Sequence, residues 1–348
     1  MKIISIIWNQ QVVLVINTKA MIKKTFRYLN NKVYQVIKVC TGCTILYKTC
    51  WYKSFFVSYN HDIYPDNVWY REHEARNYDI INLGSSSGKW AFDYTGTGVK
   101  GMNWAQQPQT LYEDFELLRH YHSILRNGGY VLITIMPFTG INKATGVLDA
   151  MKYLKIDTQG EPIQPYKIEE AKRYMVWPIL FGKPAVKAIA RYLLGREKKQ
   201  KRTPNSQLDY NTMSEAQLKS DAKGWINAWK WQFSIENIEA PLTNENIKGR
   251  EYRVELMRKL IDFCKERAYQ PIYVIPPVSA FLAREFTPRF RELYIYDYIR
   301  EVNREIPLLD YSNDEKLKES DLYFNSFFMN RKGRQIFTKR VLYDLNII

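Results

Sequence analysis

Asp79-Ile-Ile-Asn-Leu-Gly-Ser-Ser-Ser-Gly-Lys-Trp-Ala-Phe92 is the stretch that decides how the chain is read. Ile80, Ile81 and Leu83 form an apolar run of strand length that stops at Gly84, three serines and Gly88. A strand, a tight turn of small residues and a helix is how an open α/β sheet presents chemistry at the carboxyl end of a strand. Glycine accepts positive φ, and serine brings a hydroxyl with little bulk. Gly84-Ser85-Ser86-Ser87-Gly88 also fits G-x-S-x-G, with Ser86 at the nucleophile place. A purely structural turn, where backbone passes close to a neighbour, fits the same residues equally well.

Working outward, Gly96-Thr97-Gly98 reads as a turn and Val99–Ala105 as a second strand. Leu111, Phe115, Leu118 and Ile124 set one side of a helix over Leu111–Leu125, stopped by Asn127-Gly128-Gly129. Tyr130–Met136 is a continuous apolar strand that ends at Pro137. The rhythm returns with a helix over Glu255–Arg267, a strand over Ile272–Ile275 closed by Pro276-Pro277, and helical spacing over 290–303. A short strand at 306–310 and a closing helix over Asn330–Leu345 follow. Strand, helix, strand with short links predicts a three-layer α/β/α fold with a parallel sheet of about five strands in flavodoxin-like order. Residues 140–249 break the rhythm with Pro178, Gly182, Pro184 and the charge run 196–202, and read as a large helical insertion that caps the sheet. The expected division is therefore 1–59 as an N-terminal extension, 60–139 and 250–348 as the two halves of the α/β domain, and 140–249 as the insertion.

The totals bound the function classes. A chain of 348 residues with 46% hydrophobic and 25% charged side chains is that of a globular protein. Aromatics at 15% suit core packing and sugar-binding clefts alike. A net charge of +15 favours an anionic partner. The excess is concentrated in the first 53 residues and at 196–202, so nucleic acid is not expected as a partner. Ile22, Phe26, Leu29, Val33 and Ile37 fall at helical spacing opposite Lys23, Lys24, Arg27, Lys32 and Lys38. That basic amphipathic helix fits an anionic membrane surface, and equally a helix packed on the domain. No run reaches the ~18 apolar residues of a span, so a cytoplasmic chain is expected, with peripheral contact at the inner membrane surface as an option through that helix. Residues 1–20 lack a signal-peptide core, and Met21 opens a better-formed segment, which suggests an upstream extension of the natural start. Cys40, Cys43 and Cys50 offer C-x-x-C without a fourth ligand at regular spacing, so no metal and no cofactor are expected.

Two ends of the α/β domain resemble the SGNH, or GDSL-like, hydrolases and acyltransferases. Gly84-Ser85-Ser86 resembles the first block, with Ser86 at the nucleophile place, and Gly101-Met-Asn-Trp-Ala105 lies where the second block contributes an oxyanion donor. Pro276-Pro277-Val278-Ser279 is similar to the family's strand-four end, and Phe324-Asn-Ser-Phe-Phe-Met-Asn-Arg-Lys-Gly333 to the last block, Asp-x-x-His-Leu-Asn-x-x-Gly. The resemblance implies an esterase or O-acyltransferase acting on acylated bacterial surface polysaccharide, so an acylated carbohydrate as partner. Gly84, Ser85 and Asn103 would then form the oxyanion and binding positions. The chain departs from the family where the last block should hold Asp and His, which here are Asn325 and Phe328. Phenylalanine takes no proton from serine, and asparagine does not stabilise an imidazolium. Two readings stay open: His120 or His122 substitutes as base, or the triad is degenerate and the protein is a binding or scaffold member of the fold. A methyltransferase of Rossmann type is the remaining alternative, since Leu125-Arg-Asn-Gly-Gly-Tyr-Val-Leu-Ile133 resembles a passage of those enzymes; it lacks an acidic residue after Val99–Ala105 for the ribose.

Overall fold

The structure, a computed structural model, describes residues 77–107, 109–141, 194 and 209–348. The chain divides into two compact units, 1–64 with 165–200 and 65–164 with 201–348, and all the described residues but Leu194 belong to the second. The expectations for the extension, the helix from Ile22, the three clustered cysteines and residues 142–193 lie outside the described residues.

Five strands build one sheet: β1 (Tyr78–Leu83), β2 (Gly101–Asn103), β3 (Leu125–Thr134), β4 (Gln270–Ile275) and β5 (Leu308–Asp310). All pairs are parallel and the order is β2-β1-β3-β4-β5, the flavodoxin-like order. The chain alternates faces with the period of two that a pleated strand imposes. Ile81, Leu83, Val131, Ile133, Tyr273 and Ile275 face one side, where they pack with α2 (Leu111–Tyr121) and α4 (Asn244–Glu266). Ile80, Leu132, Ile272 and Val274 face the other, against Phe337, Val341 and Leu342 of the closing helix (Arg331–Asp344). With helices on both faces, this is the three-layer α/β fold. No helix among the described residues is long and apolar enough to cross a membrane.

Two boundaries differ from the sequence reading by more than the one or two residues by which strand ends shift elsewhere. Asn127-Gly128-Gly129 does not stop a helix. The α-helix ends at Tyr121, and β3 has begun at Leu125. The pairing with β1 then slips from Tyr78↔Leu125 to Ile80↔Tyr130, so Arg126–Gly129 bulges out of the ladder, with Gly128 at φ +70°. The second difference is at α4, which starts at Asn244, where Thr243 caps it by accepting the Asn246 N–H at 3.2 Å. The expected end of the insertion at 249 thus falls inside a helix.

The described part of the expected insertion joins the same core. Helix α3 (Glu215–Gln232) buries Ala222, Ile226 and Trp229 against Phe138, Val278, Leu282 and Phe286, a third apolar cluster at the carboxyl ends of β3 and β4. Ser214 caps this helix. Its position roofs the end of the sheet where the Gly-Ser-Ser-Ser turn emerges.

Candidate functional site

β1 ends at Leu83, and the chain turns at once through Gly84 and Ser85 into α1 (Ser86–Lys89). Gly84 stands at φ +135°. β2 lies on one side of β1 and β3 on the other, so this turn sits at the topological switch point, where open α/β sheets take their ligands. A cavity of about 310 Å³ opens there. Its floor is the Gly84–Ser87 turn and the end of β3, Ile133 and Thr134. Gln109, Thr110 and Asp114 at the start of α2 form one wall, and Trp225, Trp229 and Phe233 form an aromatic one. Arg253 of α4 and Phe327 of the closing loop, residues 323–330 ahead of the closing helix, complete it.

Ser85, Ser86 and Ser87 all line the cavity and are partly exposed. The Ser85 hydroxyl accepts the Gln109 N–H at 3.3 Å. The turn is fixed from below, because the Thr134 hydroxyl donates to the Leu83 carbonyl at 2.8 Å.

The closing loop reaches the same cavity, but through Phe327. Asn325 is spent locally: its Oδ1 accepts the N–H groups of Phe327 at 3.0 Å and Phe328 at 2.8 Å, an Asx turn. Phe328 is 6% exposed and turns into an aromatic cluster, its ring 4.6 Å from Phe327 and 5.5 Å from Trp225. Asp221 of α3 holds the loop in place, accepting the N–H of Ser326 at 2.8 Å and its hydroxyl at 2.5 Å.

Three of the candidate positions stand elsewhere. The amide of Asn103 is committed to the backbone, its Nδ2 donating to the carbonyls of Gly88, Lys89 and Phe92 at 3.0–3.2 Å. Its Oδ1 accepts from Asn82 and from the Ala105 N–H. Asn103 is a brace for α1 and does not line the cavity. His120 and His122, the candidate substitute bases, also stand apart from it. His120 lies nine residues beyond Leu111, about 13 Å along the helix axis at 1.5 Å per residue. It bonds the Glu116 carbonyl at 2.6 Å, while His122 Nδ1 bonds the Tyr269 hydroxyl at 3.1 Å, both toward the start of β3 rather than its end. Neither lines the cavity.

The residue that sequence reasoning missed is Asp114. It is 6% exposed, and its Oδ1 accepts the Gly84 N–H at 2.8 Å and the Gln109 Nε2 at 2.5 Å. Gln109 Nε2 also reaches the carbonyls of Gly84 at 3.2 Å and Trp104 at 3.3 Å, so one amide ties the turn, the end of β2 and the helix start together. Burial pushes the Asp114 carboxyl up to about 7, with Glu113 adding to the rise; the Gly84 and Gln109 donors and the Arg253 guanidinium pull against it. A signal was present: Asp114 lies three residues after Leu111 and four before Leu118, on the apolar stripe of the helix, where a carboxylate needs a reason to be.

No protein-family model matches the sequence, and comparison with curated proteins finds no match.

Proposed function

We propose that this is an SGNH-like protein whose cavity at the β1–β3 switch point takes an acyl ester of a carbohydrate, of the kind carried by bacterial surface polysaccharides. Acyl removal or transfer there runs without a serine–histidine–aspartate triad. The observation that carries this reading is that Gly84–Ser87 and Phe327, from the two stretches that resemble the family, wall one cavity. Trp225 and Phe233, partly exposed beside the buried Trp229, offer apolar surface of the kind that covers a sugar ring or an acyl group. A strand order of flavodoxin type favours this over the methyltransferase alternative, which calls for the classic dinucleotide-binding order. A non-catalytic binding role for the same cavity is the second reading, favoured by Asn325 and Phe328 standing where the triad would need Asp and His.

Titrating the protein with an acetylated xylo-oligosaccharide should quench tryptophan fluorescence saturably, and the deacetylated sugar should bind at least several-fold more weakly. Equal binding of the two, or none, removes the acyl ester from the reading. A fluorophosphonate probe should leave Ser86 unlabelled, since among the described residues no imidazole lines the cavity to activate it. Rapid labelling would restore a conventional serine mechanism.

The basic residues of 22–38 are proposed to contact an anionic membrane surface. Protein should then sediment with phosphatidylserine vesicles and be released as salt rises. Changing Lys23, Lys24, Arg27 and Lys32 to Gln should abolish that binding, and equal sedimentation with neutral vesicles refutes it.

A further inference from the structure

We propose that Asp114 is the general base of the cavity, drawing the proton from a water that attacks the carbonyl carbon of the bound acyl ester. The inference rests on the reading of the cavity as an acyl-ester site and supplies the proton acceptor which that reading lacks.

Geometry carries it. Asp114 and Arg253 are the only charged side chains on the wall among the described residues. Both hydrogen bonds to the Asp114 carboxylate fall on Oδ1, from Gly84 and Gln109. Oδ2 takes no donor from the described residues, while the residue itself forms part of the wall. One oxygen is thus clamped by the turn at the end of β1, and the other is left to the cavity. That division is what a proton acceptor needs: a fixed orientation and a free lone pair. The charged groups that face the carboxyl are Glu113 from its own helix and Arg253 from α4. Their opposing influences, with burial dominant, leave it titrating near neutrality, where a base combines strength with availability.

The step balances. Asp114 Oδ2 takes a proton as the water oxygen bonds to the acyl carbon, and the carbonyl oxygen becomes an oxyanion near the positive charge of Arg253. The tetrahedral intermediate collapses, the bond from carbon to the sugar oxygen breaks, and that oxygen takes the proton from the Asp114 carboxyl. Ester and water become carboxylic acid and alcohol, and Asp114 returns ionised. No serine is acylated.

The test uses the full chain and the acetylated xylo-oligosaccharide, with acetate release and binding followed separately. Asp114→Asn keeps an oxygen for the Gly84 and Gln109 donors, so it should fold and bind as the wild type does, while kcat falls by ~10²–10⁴. His120→Ala, remote from the cavity, should leave kcat unchanged. The wild-type rate should rise with pH to a plateau above about 7. Gln109→Leu removes a donor that favours the ionised form, so the midpoint of the pH–rate profile should move upward, a shift that a merely structural role would not produce. Acid-quenched mass spectrometry should find no acyl adduct on the protein. Asp114→Asn retaining its rate within a few-fold, an unmoved midpoint in Gln109→Leu, or an acyl-serine each overturns the proposal. Saturable binding without acetate release overturns it too, and leaves the binding reading standing. Absence of binding removes the reading of the cavity and the proposal together.

Discussion

Asp114→Asn is expected to be more stable than the wild type at pH 8 by about 4 kcal/mol, and the difference should vanish near pH 4. In the folded protein burial holds the Asp114 carboxyl at about 7, against 3.8 for an ordinary aspartate. Between those values the folded state keeps a proton that the unfolded chain has released. Stability therefore falls as pH rises, by ~1.4 kcal/mol per unit over about three units, and levels off above pH 7. Below pH 4 both states are protonated and the group contributes nothing. Asparagine is neutral throughout, and its oxygen can still accept from Gly84 and Gln109, so the variant carries none of this slope. Urea midpoints of the two proteins from pH 4 to pH 8.5 measure the effect, since slopes from other groups cancel in the difference. A difference that stays flat with pH would mean that Asp114 is ionised throughout, and would remove the near-neutral base along with it. A carboxyl held at the expense of stability in a cavity is the pattern expected of a group retained for chemistry.

The sheet was legible because a period of two carries it. Ile80 and Leu132 alternate with Ile81 and Val131 across the faces, and that period of two survives any detail of the loops. The Asn127-Gly128-Gly129 bulge was misread because the same residues that end helices also let a strand carry extra residues, and only the partner strand decides between them. The early start of α4 at Asn244 was missed because its first turns present polar and charged side chains, with the capping Thr243 as the local signal. At the site, the strand end at Leu83 and the turn after it followed from local chemistry. Asn103 could not be assigned, since its three carbonyl acceptors belong to a turn eleven to fifteen residues earlier. The histidines attracted attention by residue type, yet helix length alone carries His120 away from the cavity. Asp114 went unremarked because a carboxylate on an amphipathic helix is ordinary until its position on the apolar stripe is counted.

Gly84→Ala is expected to lower stability by about 2–6 kcal/mol and to abolish ligand binding. Two effects add. Gly84 sits at φ +135°, a conformation that L side chains rarely adopt, and such strain costs ~1–3 kcal/mol. A Cβ there would also lie 3.0 Å from Thr134 Cβ and 3.2 Å from its hydroxyl, against a side chain held by its bond to the Leu83 carbonyl. Overpacking of that kind costs a further ~1–3 kcal/mol. Gly98→Ala separates the two, because Gly98 is also at positive φ, +78°, but a Cβ there meets nothing within 4 Å. It should cost only ~1–2 kcal/mol and leave binding intact. Relief of the clash in Gly84→Ala requires the turn to move off Thr134, which withdraws the Gly84 N–H from Asp114 and shifts Ser85–Ser87 on the cavity floor. Stability from urea denaturation and affinity for the acetylated oligosaccharide should therefore fall together in Gly84→Ala and separate in Gly98→Ala. Equal effects of the two substitutions on binding would show that the close approach of the turn to β3 does not shape the site.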